Sequence, residues 1–356
     1  MTAAVSALTE PGAADGASSP MQRMDRALRL YRHRISRCRT QNQLNRVNIA
    51  VENYVTPAEV RYFHTALAGE PAESPAYQWI TRLARGMPNN IVRPVEFERR
   101  GLCKGVTHYS ANPSSAAQKT LIIGFTGIAH RLMMPTPWVL DCLNPALYDV
   151  VLLRDFARVA YASGIPGLGG DFHTALSKLS THVDRGAYRD AISFGTSAGG
   201  VPAILAAILL SLDKAIAISP QEFGRVAALL GRHGLSDTAY ASLLASRPQP
   251  FPEVLIVCAA EHGDDMAAAA SLQRRVPARV LKVRGCAGHV VLGWQHAHGM
   301  LPPFLAKILG QSLERQAPAS TALAASWVVG SSGGPSPQPT VARTQDHPEP
   351  DPSHAS

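Results

Sequence analysis

The sequence predicts an α/β protein built on a mainly parallel sheet with helices on both faces. Two observations carry this. From residue 92 onward, short apolar runs with the length of strands alternate with segments of helical period, and the runs are too uniformly apolar to leave either sheet face wet. The chain's 356 residues, 46% hydrophobic and 17% charged, are ample for one large core of this kind.

The elements follow in order. Residues 1–20 are mostly Ala, Ser, Gly, Thr and Pro and are expected to be a disordered tail. Residues 21–91 read as a helical segment. Met21, Met24, Leu28, Tyr31 and Ile35 recur at helical spacing in its first helix. Thr56-Pro57-Ala58-Glu59 is a capping box, and Ser74-Pro75 opens a further helix that Gly86 should close. Residues 95–98 and 104–109 alternate as an antiparallel strand pair with a turn near Gly101. Strands are then expected over 120–125, 149–153, 191–194, 215–219, 254–258 and 279–283. Helices are expected over 135–142, 172–183, 198–211, 266–275 and 302–309. Residues 220–252 form a helical insertion without a strand, the size of a small cap, and the substrate pocket is expected between it and the 161–171 segment. The main domain thus spans 92–315, and residues 316–356 form a second disordered tail rich in Pro and Ser.

The five cysteines, Cys38, Cys103, Cys142, Cys258 and Cys286, form no CxxC pair or even framework, which points to reduced thiols and a cytoplasmic location. The longest apolar stretch, 201–212, is too short for a transmembrane segment. The net charge of +8 is concentrated between Arg23 and Arg46, where eight arginines face a single Asp25. That basic helix, over 21–39, is either a solvated face or a docking surface for an acidic partner. With no nucleic-acid motif beside it and only 6% aromatic residues, nucleic-acid binding is not expected.

The chemistry gathers around Gly195-Thr196-Ser197-Ala198-Gly199, a G-x-S-x-G pattern. A strand runs into it and a helix runs out, the context in which a tight turn exposes a strained serine as nucleophile. A phosphate cradle fits poorly, since the P-loop Lys-Ser/Thr pair and the GxGxxG spacing are both missing. A serine hydroxyl needs a base. His289 sits in the loop after the last strand, beside Gly288, and is preferred to His130, His262, His296 and His298. The base needs an acid, and the loop after strand 254–258 offers Glu261, Asp264 and Asp265. Asp264 ranks narrowly first, because Asp265 directly precedes residues 266–275, where a helix cap belongs. The oxyanion hole needs two backbone amides, assigned to Ala198 and Ile128.

In this order the pieces resemble the α/β-hydrolase superfamily over residues 92–309. Three features depart from its usual pattern: Thr126-Gly127 in place of His-Gly, a long 161–171 segment, and Ala259-Ala260 where a glycine is common. The resemblance implies acyl transfer through Ser197 without a metal or cofactor. An esterase or thioesterase acting on a small acyl ester or thioester is expected. An acyltransferase with the same triad, or a non-catalytic binding protein of the same fold, is the alternative.

Overall fold

The computed structural model describes residues 19–310 except 112, 247 and 249. The expected tails therefore lie outside the described residues, apart from Ser19 and Pro20. Those two begin the first helix: Ser19 caps it through a capping box with Gln22.

Four helices come first: α1 (Pro20–Ile35), α2 (Gln41–Glu52), α3 (Pro57–Leu67) and α4 (Pro75–Arg85). The Thr56 capping box forms as its sequence demands. Gly86 does not end α4 in a left-handed cap; its φ is −82°, and its lack of a side chain instead admits the Trp138 ring, which any Cβ would strike. The four helices pack around their own centre, with Tyr31, Phe63, Trp79, Ile80 and Leu83 almost wholly buried. Several arginines of α1 are held within the chain, Arg23 by Glu98 at 2.6 Å and Arg32 by Glu70 at 3.1 Å.

The sheet contains β1 (Glu98–Cys103), β2 (Val106–Ser110), β3 (Thr120–Phe125), β4 (Tyr148–Leu153), β5 (Asp190–Thr196), β6 (Lys214–Ile218), β7 (Glu253–Ala259) and β8 (Arg279–Val283). Their spatial order is β1-β2-β4-β3-β5-β6-β7-β8. β2 runs antiparallel to both neighbours, and the strands from β4 to β8 are mutually parallel. The first hairpin turns at Gly105, where φ is +89°, and not near Gly101, which lies inside β1 beside a register shift. Residues 95–97 are not in the ladder. That stretch is held by side chains, with Glu96 accepting from Arg61 and from the Arg93 amide.

Between the strands lie α5 (Thr136–Asp141), α6 (Phe172–His182), α7 (Gly200–Leu209), α8 (Phe223–Arg232), α9 (Thr238–Ala245) and α10 (Gly263–Gln273), and after β8 come α11 (Val291–Ala297) and α12 (Leu301–Leu309). The period-2 alternation of the strands divides the core. Leu121, Ile123, Phe125 and Val151 face α6–α10, whereas Ile122, Val150, Leu152 and Phe194 face α5, α11 and α12. The uniformly apolar α7 is buried from Gly200 to Ile208, which explains a run with no polar face. The 220–252 insertion is helical as expected, and it places Phe223, Val226, Leu230, Tyr240 and Leu244 in the α7 layer. Tyr240 of the insertion packs against both ends of the 161–171 segment: its hydroxyl donates to the Ala160 carbonyl at 2.8 Å and its ring meets Phe172 edge-on.

Candidate active site

Ser197 sits between β5 and α7 with φ +51°, a left-handed conformation costly for a side-chain-bearing residue. The turn is tight enough that a Cβ on Gly195 would lie 2.1 Å from the Gly199 carbonyl oxygen, and one on Gly199 2.2 Å from the Phe125 oxygen. These two glycines are what the turn requires, and a single 3₁₀ turn (Ser197–Gly199) leads into α7.

His289, in the loop between β8 and α11, spans the gap. Its Nε2 lies 2.9 Å from Ser197 Oγ and its Nδ1 2.7 Å from Asp265 Oδ1. Ser197 and His289 are both partly exposed, whereas the Asp265 side chain is only 2% exposed. Burial pushes the Asp265 carboxyl up, but the hydrogen bond with His289 and that from the Ala259 amide, beside the Ser219 hydroxyl, outweigh it and hold the group below its usual range.

Asp264 does not reach His289. It points to solvent and pairs with Arg225 at 2.9 Å, its side chain 63% exposed. The ranking of the two aspartates rested on the helix starting at residue 266. It starts at Gly263, and His262 is the cap, its Nδ1 accepting the Asp265 amide at 3.3 Å. Both aspartates therefore lie in the first turn of α10, and only the second faces inward. Glu261 instead accepts the Gly285 amide at 3.0 Å, bracing the loop that carries His289.

The other histidines have separate partners. The Nε2–H of His130 donates to the Asp155 carbonyl at 3.1 Å, and burial, reinforced by Arg158, lowers its pKa. His296 stacks on Trp138 with centroids 4.4 Å apart, and His298 on Trp294. His262 is the exception: its ring centroid is 5.9 Å from that of His289, and its Nδ1 is 3.1 Å from Asp265 Oδ1. From the sequence His262 is only a rival base. Its i, i+3 spacing to Asp265 was the available signal.

The loop after β3 lies against the elbow, where a Cβ on Gly127 would be 3.5 Å from Ser197 Cβ. Ile128 follows in that loop and is 46% exposed, while Ala198 is buried behind the serine. The helical layer holds this loop from outside. Asn53 Nδ2 donates to the Ala129 carbonyl at 3.0 Å, and Arg131 pairs with Glu52 at 3.3 Å. Neither contact was anticipated from the sequence, since both partners come from separate segments of the chain.

No family model and no curated protein sequence matches the chain. Solved structures do resemble it. The Staphylococcus aureus fluorophosphonate-binding serine hydrolase F is 15% identical with a TM-score of 0.43, over 60% of this chain and 99% of that one. The 2,6-dihydroxy-pseudo-oxynicotine hydrolase is 12% identical with a TM-score of 0.43, over 86% and 96%. The capsule O-acetyltransferase of Neisseria meningitidis serogroup A is 12% identical with a TM-score of 0.38, over 62% and 99%. By its strand order, and by the turn that carries Ser197 from β5 into α7, the chain has the α/β-hydrolase fold.

Proposed function

We propose that this chain is a serine acyl hydrolase of the esterase or thioesterase type, with Ser197 as nucleophile, His289 as base and Asp265 as the acid that orients it. The observation that carries the reading is the unbroken pair of contacts, 2.9 Å from Ser197 to His289 and 2.7 Å from His289 to Asp265. Ser197 Oγ attacks the acyl carbon as its proton passes to His289 Nε2, and the developing oxyanion takes hydrogen bonds from the amides of Ala198 and Ile128. His289 then returns the proton to the departing alkoxide or thiolate, leaving Ser197 acylated. Water attacks that ester with His289 again as base, which frees the acid and the serine. The buried carboxylate of Asp265 fixes the tautomer with hydrogen on Nδ1 and stabilises the imidazolium.

Hydrolysis is preferred to transfer because Ser197 and His289 are both reached by solvent, so water can meet the acyl-enzyme. The five unpaired thiols, three of them buried, support a reducing compartment such as the cytoplasm. No helix among the described residues is long and apolar enough to cross a membrane. The test is fluorophosphonate labelling together with p-nitrophenyl ester turnover. Label should map to Ser197, and Ser197→Ala should remain folded with turnover lower by roughly 10³ or more. Unchanged turnover in the purified variant would exclude the assignment, and product that grows with an added alcohol at the expense of free acid would show transfer instead.

A further inference from the structure

Asp265 lies between two imidazoles. His289 Nδ1 is 2.7 Å from its Oδ1, and His262 Nδ1 is 3.1 Å from the same oxygen. The first contact needs only the proton that His289 carries as a neutral ring. The second is different, because His262 Nδ1 already accepts the backbone N–H of Asp265 as the cap of α10. A ring nitrogen that accepts there presents a lone pair and no hydrogen. At 3.1 Å, that nitrogen and a carboxylate oxygen face each other as two acceptors, and a cation placed between them would take over the Nδ1 lone pair, so that the long 3.3 Å bond from the Asp265 amide gives way to the metal.

The donor atoms of His262, Asp265 and His289 all lie within 4.8 Å of one another. The two rings are open to solvent, with side chains 30% and 37% exposed, while the carboxylate is 2% exposed. Two imidazole nitrogens and one anionic oxygen, with a solvent side free for water, are the donor set that suits zinc and not the hard, all-oxygen preference of magnesium or calcium. We propose that His262, Asp265 and His289 form an inhibitory site for a zinc-class divalent cation, sharing two of its three ligands with the catalytic set. Its effect on turnover rests on the function proposed above; its binding does not.

The inhibition follows from proton bookkeeping. A metal bound to His289 Nδ1 requires that nitrogen's lone pair, so the proton of the neutral ring moves to Nε2. No proton is lost in the exchange, and the Asp265 carboxylate turns from the ring to the metal. Nε2 then faces Ser197 Oγ with an N–H where the reaction needs a lone pair. The base is switched off by tautomer alone, and the loss falls on kcat.

The test compares wild type with His262→Asn, which keeps a capping oxygen for α10 but removes an imidazole ligand. Equilibrium dialysis and thermal melts with zinc chloride read the site without any substrate. Wild type should bind a zinc ion that raises its melting temperature, and EDTA should reverse this. With each protein's turnover taken relative to its own metal-free value, His262→Asn should need about tenfold more zinc, or greater, for the same shift and the same inhibition. Magnesium and calcium should do neither. Equal zinc binding by the two proteins, or a shift that follows pH but not zinc, would overturn the site and leave a proton as the cation between the two acceptors. If wild type turns over no ester yet the zinc results hold, the failure belongs to the proposed function and not to the metal site.

Discussion

Successive residues of a helix point about 100° apart, and on α10 that angle decides the fates of Asp264 and Asp265. One meets Arg225 in solvent and the other meets His289 in the interior. Asp265→Asn should lower kcat by roughly 10⁴, since an amide stabilises the wrong tautomer and no imidazolium. Asp264→Asn should lose only an exposed ion pair, worth at most about 1 kcal/mol, and keep its activity. Ester turnover of the two purified variants checks this; a kinetic defect confined to Asp264→Asn would reverse the roles. The pH dependence follows from the depressed carboxyl. A group whose folded pKa lies below its ordinary 3.8 contributes stability that is present above that value and is lost as pH falls through the folded one. The extra stability of wild type over Asp265→Asn should therefore persist down to about pH 4 and fade below it, as read by thermal melts across pH. An advantage that disappeared between pH 7 and 5 would show that the carboxylate is not what is being stabilised.

At the scale of elements, the helices before residue 86 reach the site through the loop after β3. Asn53 Nδ2 holds the Ala129 carbonyl next to Ile128, and Glu52 holds Arg131. An oxyanion amide is useful only when it is aimed, and a misplacement of about 1 Å can cost about 10²-fold. Asn53→Ala should thus lower kcat by roughly 10- to 100-fold with KM little changed, at a stability cost of about 1 kcal/mol. A melting shift with full kcat would make the contact structural only. These cross-chain clamps have no local signature, which is why residue patterns did not disclose them. By contrast β3 and β8 were legible to the residue, because a strand-length run rich in β-formers between turn signals needs no partner to identify it. The misplaced hairpin turn has a simple cause: Gly101 and Gly105 are both turn formers, and only the pairing of β1 with β2 chooses between them. α11 escaped notice because Val290, Val291 and Gly293 are poor helix formers and no side chain caps it. α10 starts at Gly263 and not at residue 266, a boundary that residue patterns hide because histidine is an unusual cap, and without that later start the ranking of Asp264 over Asp265 loses its basis.

Across the whole molecule, buried polar contacts join the helical layer to the sheet. Arg154, at the end of β4, is fully buried. It donates to the Asn53 carbonyl, the Thr107 hydroxyl and the Tyr109 hydroxyl, and its guanidinium lies 3.9 Å from the centre of the Tyr54 ring. Tyr109 in turn donates to the Tyr54 carbonyl, and Arg99 pairs with Glu59. Separating the layers would strand a cation whose partners lie partly on the other side. The two should therefore open together: in denaturant near the unfolding midpoint, amide exchange in peptides from 20–85 and from 120–153 should share one rate. Earlier exchange across 20–85 would show an independent layer.

The same arginine sets a clock on synthesis. Asn53 and Arg154 are 101 residues apart in the chain. At about 5–20 residues per second, translation separates them by roughly 5–20 s, long after local helices can form. Through that interval the nascent helices have a centre of their own around Tyr31 and Trp79, but the Asn53–Tyr54 end of α2 waits in water for a strand not yet made. Closure over Arg154 is thus a late event of assembly, and the loop beside Ser197 acquires its outer support only then.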